Sequence, residues 1–218
     1  MKKYFFLCVV ALLAHAAQSQ VLLGEGTKQI YQSPNLGPVL PNHKTVAILP
    51  FEARISYKKQ PKNFSAEANR DQEAALSQNI QSSMYTYLLR KSDAYSVSFQ
   101  DVEKTNILLR KAGMYENLQS YTREEIAQVL GVDAVIGGKF DMEQSKSEGA
   151  ALATAVVLGG FGGKTGSGSL TMTIHNGKDG ELLWRFFKTM DEDITSSTDD
   201  VIERMMRKVS RNFPYATK

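Results

Sequence analysis

Residues 122–140, TREEIAQVLGVDAVIGGKF, constrain the fold more than any other stretch of this chain. Thr122 and Glu125 have capping-box spacing, in which hydroxyl and carboxylate each satisfy a free backbone N–H at a helix start. Ile126, Val129 and Leu130 make one apolar stripe. Gly131 stands where a helix ends in the left-handed conformation, which costs glycine little. Val132, Ala134, Val135 and Ile136 then run almost continuously apolar, as in a strand covered on both faces. Gly137-Gly138 follow, so something is expected to approach that backbone closely. A short helix feeding a buried strand is an α/β signature and carries no chemistry of its own.

Residues 1–19 read as a secretory signal peptide. Lys2 and Lys3 form the positive end, 4–13 the apolar stretch, and Ala14-His15-Ala16 or Ala17-Gln18-Ser19 the cleavage junction. The only cysteine, Cys8, lies inside the apolar stretch without a small residue before it, so no lipid anchor is read. Cleavage after Ser19 leaves 218 − 19 = 199 residues and, without Lys2 and Lys3, lowers the formal charge from +3 to +3 − 2 = +1. That balance does not indicate a nucleic-acid partner. The remaining chain has no cysteine, so its stability rests on a core rather than on disulfides.

Residues 20–44 hold Pro34, Gly37, Pro38 and Pro41 with weak periodicity, and are expected to be an irregular leader. Residues 45–218 are expected to form a single domain. TVAILPF at 45–51 is a central strand ended by Pro50. Residues 52–65 read as a long loop or a small hairpin through Ile55 and Tyr57. A long helix follows over 66–91, with Leu76, Ile80, Met84, Tyr87 and Leu88 on one face. Tyr95, Val97 and Phe99 alternate with polar residues as a half-buried strand does. Asp101 caps a helix that Gly113 closes. Leu170, Met172 and Ile174 alternate before Asn176-Gly177 and Asp179-Gly180, and LLWRFFK returns from 182, which makes an antiparallel hairpin. The last helix opens at 197–200 and carries Ile202, Met205, Met206, Val209 and Phe213. The expected fold is α/β (α+β), a mixed sheet with helices packed on its faces.

No catalytic, metal or cofactor site stands out. Gly163-Lys164-Thr165 lacks the glycine five positions earlier, where Leu158 stands, and the helix that a phosphate loop needs. After residue 19 the histidines are His43 and His175 alone, with no thiol beside them. Ser167 has no nucleophile-elbow context. Trp184 reads as core. Residues 149–163 are apolar, uncharged and too short to span a membrane as a helix. They read as a buried connection, a membrane-inserting hairpin or a subunit contact. Ala150, Leu152, Val156, Val157, Leu158 and Phe161 are the candidates for membrane or subunit contact.

TVAILPFE on the first strand, EEIAQVLGVDAVIGGKF, and DGELLW at the end of the hairpin together resemble the curli-secretion channel (CsgG-like) family. Similar domains occur in lipoproteins that activate penicillin-binding proteins and in the N-terminal domain of TolB. The resemblance covers residues 45–213 and implies a non-enzymatic envelope domain. Such a domain acts in secretion or envelope assembly by contact with envelope proteins or with itself, in the periplasm or on the periplasmic face of the outer membrane. In the channel proteins, insertions build membrane hairpins. The resemblance implies that residues 52–65 and 144–169, the long insertions here, would be the corresponding segments, although this chain lacks the anchoring cysteine of those lipoproteins.

Overall fold

The structure, a computed structural model, describes residues 27–144, 166–190 and 198–217. The strands are β1 (Lys28–Gln32), β2 (Thr45–Ile48), β3 (Glu52–Tyr57), β4 (Ser98–Phe99), β5 (Ala134–Gln144), β6 (Gly166–Asn176) and β7 (Leu182–Met190). The helices are α1 (Leu36–Val39), α2 (Ala66–Leu89), α3 (Val102–Lys111), α4 (Arg123–Leu130) and α5 (Thr198–Ser210). Among the described residues the strands form one mixed sheet in the order β1-β7-β6-β5-β2-β4, and β3 also pairs with β5.

The opening stretch folds as its residues dictate. Thr122 and Glu125 form both bonds of the capping box, and Gly131 ends α4 at φ +65°. β5 then runs well past its apolar core, because β2 and β3 lie end to end along it. Val46 to Ile48 pair in parallel with Ala134 to Ile136, and Glu52 to Tyr57 with Lys139 to Gln144. Pro50, which has no N–H to give a ladder, lies in the break between them. On the other flank β5, β6 and β7 form an antiparallel meander.

Side chains alternate across β5. Ile136, Phe140 and Met142 enter a core with Leu76, Ile80, Met84 and Leu88 of α2, Met206 and Val209 of α5, and Trp184 and Phe186 of β7. Val135 points the other way, to a smaller core with Leu109 of α3 and Ile126 and Leu130 of α4. The sheet therefore carries helices on both faces, as the sequence implies. Burial of these side chains, about 1.5–3 kcal/mol each, stabilises both packings.

Three segments differ from expectation. The leader contains β1 and α1, and β1 pairs antiparallel with β7 from Lys28↔Lys188 to Gln32↔Trp184. Residues 52–57 form a parallel strand rather than a loop or hairpin: Ala53 and Ile55 are buried while Arg54 and Ser56 are exposed. Tyr95 and Val97 are buried, yet only Ser98 and Phe99 join the sheet. Tyr95 is held instead by ring contacts to Phe99 and Phe213 and by a bridge to Ala216.

Candidate functional site

Gly137 and Gly138 sit where β5 leaves β2 and meets β3, and their two faces differ. A Cβ on Gly138 would run into the Phe51 ring and the Thr171 carbonyl. The close approach expected from this glycine pair is thus made by the chain's own Phe51. A Cβ on Gly137 would meet Thr173 Oγ1 at 3.7 Å and the Arg123 guanidinium carbon at 4.0 Å. Gly137 therefore opens on a cavity of about 360 Å³ lined by Leu49, Glu52, Tyr115, Leu118, Gln119 and Arg123, among others.

Two of the polar groups that line the cavity, Glu52 and Gln119, are bonded to each other. Gln119 Nε2 donates to Glu52 Oε2 at 2.9 Å, and Arg54 Nε to Glu52 Oε1 at 2.8 Å. Thr173 Oγ1 donates to the Gly137 carbonyl at 3.2 Å. Burial pushes the pKa of the Arg123 guanidinium down. It also pushes His175 down, opposed by the Gly180 carbonyl and reinforced by the Arg123 charge. His175 Nδ1 lies 3.1 Å from that carbonyl. Ser167 donates to Glu143 at 3.4 Å. Ser167 and His175 are 175 − 167 = 8 residues apart on one strand, roughly 27 Å by strand rise, so they do not meet.

The other candidate residues are dispersed as well. Trp184 and Phe186 are core. Lys164 and the contact candidates Ala150, Leu152, Val156, Val157, Leu158 and Phe161 lie outside the described residues. His43 takes part in a buried network that sequence spacing does not reveal. Its Nδ1 is 2.7 Å from Tyr215 Oη and its Nε2 is 3.3 Å from Asn176 Oδ1. Tyr215 is pushed well above the ordinary tyrosine range, chiefly by burial. The network ties the segment before β2 to the hairpin turn and the C-terminal tail. Among the described residues no three His, Cys, Asp or Glu come together, and no helix is long and apolar enough to cross a membrane.

Among the described residues, part of the sheet is left uncovered. Beyond α3 and α4, the face bearing Thr171, Thr173, Arg185 and Phe187 has no helix over it among the described residues; Arg185 is exposed and the other three are half-buried. At its edge β1 is exposed along its whole length, with Ile30 38% and Tyr31 48% accessible. The main-chain bonds fix which groups of β1 are used. Thr189 N–H donates to the Thr27 carbonyl and Ser33 N–H to the Leu183 carbonyl, at 3.1 and 2.8 Å. In an antiparallel ladder hydrogen-bonded pairs alternate, so Gln29 and Tyr31 turn their N–H and C=O toward β7. Lys28, Ile30 and Gln32 turn theirs outward.

The outer side of β3, across the sheet from β1, is treated differently. Ile55 N–H of β3 donates to Glu73 Oε1 of α2 at 2.8 Å, and Asn69 Nδ2 donates to the Ile55 carbonyl at 3.3 Å. Helix side chains occupy those strand groups, which is a recognised protection against strand addition. The signal for β1 in sequence was the short run Lys28-Gln-Ile-Tyr-Gln32, too brief to show a period.

No protein-family model matches this sequence, and no curated protein matches it. Its fold is similar to lipoprotein GNA1162 from Neisseria meningitidis, at 11% identity over 78% of this chain and 96% of that one, TM-score 0.43. It is similar to PelC from Paraburkholderia phytofirmans, solved as a dodecamer, at 13% identity over 88% and 99%, TM-score 0.37. It is also similar to the LpoB C-terminal domain from Escherichia coli, at 10% identity over 73% and 94%, TM-score 0.35. Likeness at this level says nothing of function.

Proposed function

We propose that this chain is a non-enzymatic cell-envelope protein that works by protein contact, assembling with itself or with an envelope partner in secretion or envelope assembly. The observation that carries the reading is the edge of β1, unpaired among the described residues and beside a sheet face that no described helix covers, whereas at β3 the Ile55 N–H and C=O are taken by side chains of α2. Strand addition to such an edge gives affinity through the main chain without any catalytic group. The signal-peptide pattern of residues 1–19 supports export to the periplasm or the periplasmic face of the outer membrane. The resemblance to the curli-secretion channel family supports the same class of role.

Light scattering on residues 20–218, with crosslinking in envelope extracts, tests the reading. A defined oligomer or one specific envelope partner is expected. A monomer that crosslinks to nothing contradicts it.

A second reading, an outer-membrane pore subunit, is favoured by one feature. β5 and β6 are still paired at Gln144↔Gly166, where residues 145–165 connect them. Replacing 149–163 with a short Gly-Ser turn then abolishes membrane partitioning and leaves the domain folded. Unchanged partitioning rejects the pore.

A further inference from the structure

We infer that the edge of β1, unpaired among the described residues, pairs antiparallel with β1 of a second copy, about a two-fold axis at Ile30. The inference deepens the contact reading above by naming the surface and its occupant.

The edge is self-complementary in that register. Lys28, Ile30 and Gln32 carry the outward N–H and C=O groups, as the bonds at Thr27 and Ser33 require. A two-fold at Ile30 sets Ile30 against Ile30 and Lys28 against Gln32, and all the outward groups pair, giving about six main-chain bonds. On the other face Gln29 meets Tyr31. No like charges stand opposite one another, a condition for stable cross-strand pairs. Centring on Lys28 instead sets lysine against lysine. Centring on Gln32 brings in Pro34, which has no N–H to donate. The Ile30 register is therefore the one that uses the whole strand. It buries Ile30 and Tyr31, two of the large apolar side chains left exposed among the described residues. The two sheets become one continuous sheet across the axis.

A charge-reversal series tests this on the chain 20–218 by sedimentation equilibrium. The wild type self-associates into a species with an even number of copies. Gln32→Lys sets lysine opposite Lys28 twice, once on each side of the axis, and raises the dissociation constant on the order of tenfold. Adding Lys28→Glu sets glutamate opposite lysine twice and restores association to the wild-type level or tighter, with the gain largest at low salt. Both residues are exposed, so the variants keep the wild-type circular dichroism spectrum. Association unmoved by Gln32→Lys, or unrestored by the double variant, overturns the inference and leaves the contact reading standing. An odd number of copies does the same. A wild type that is monomeric at every concentration also overturns it, and the contact reading then rests on a different partner alone.

Discussion

Adjacent glycines at the β2–β3 break should respond in opposite ways to the same substitution. At Gly138 the added methyl of alanine meets the Phe51 ring and, behind it, the Thr171 carbonyl. The ring is 2% exposed and wedged in the larger core, and the carbonyl belongs to the β5–β6 ladder. Neither can move without disturbing the sheet. Overpacking of this kind costs about 1–3 kcal/mol, and a backbone neighbour places it at the upper end, about 3 kcal/mol. At Gly137 the nearest atom is 3.7 Å away, ordinary van der Waals contact. Alanine there removes the freedom of glycine from the unfolded chain and adds about 0.5 kcal/mol of stability. For a chain of this size 1 kcal/mol shifts Tm by roughly 2–4 °C. Gly138→Ala therefore lowers Tm by roughly 6–12 °C, while Gly137→Ala raises it by roughly 1–2 °C. Thermal melts followed by circular dichroism on residues 20–218 read both. Equal shifts, or a Gly138→Ala protein as stable as wild type, would refute the packing of Phe51 on β5.

Gln81 is fully buried on α2, donates to the Ile48 carbonyl at 2.7 Å and exchanges two 3.0 Å bonds with Asn106. Gln81→Ala strands these partners at about 3 kcal/mol, whereas Gln78→Ala, which loses only an exposed bond to Tyr115, leaves the urea midpoint almost unmoved. His175 has a folded pKa below its ordinary value, so the unfolded chain takes up the proton first. Its contribution to stability is present above about pH 6.5 and is lost as pH falls below that; in urea titrations from pH 7.5 to 5, His175→Gln should show a flatter loss than wild type. Burial raises the Asp133 carboxyl, but the N–H groups of Thr45 and Lys44 and the charges of His43 and Lys44 outweigh it and hold the pKa below the usual range. Stability from that site is complete above about pH 3.9 and disappears as pH falls through the lower folded value. Acid titration of Asp133→Asn should lack this component.

Local chemistry made much of the fold legible. Thr122, Glu125 and Gly131 specify both ends of α4 without help from the rest of the chain, and Asp101 accepts from Lys104 N–H at the start of α3 as its position implies. Leu76, Ile80, Met84 and Leu88 show their buried face in their spacing alone. What depends on distant segments was not legible. β3 has period-two burial, but the charges of Glu52 and Arg54 resemble those of a loop until β5 is placed beside it. Tyr95 and Val97 alternate as a strand does, yet the pairing of this stretch is with the C-terminal tail at Ala216 and not with the sheet, and Tyr95 packs on Phe99 and Phe213. The cavity over Gly137 draws on residues near 50, 120 and 137, and no local pattern announces such a convergence. The edge of β1 became visible only through its hydrogen-bond register with β7.

The most direct test of action through the β1 edge is site-specific photocrosslinking in intact producing cells. The photoreactive residue replaces Tyr31 in one strain and Ile107, 40% exposed on α3, in another. The account predicts a discrete protein adduct from position 31, at twice the chain mass or at the mass of chain plus partner, and none from position 107. No adduct from 31, or the same adducts from both positions, contradicts it.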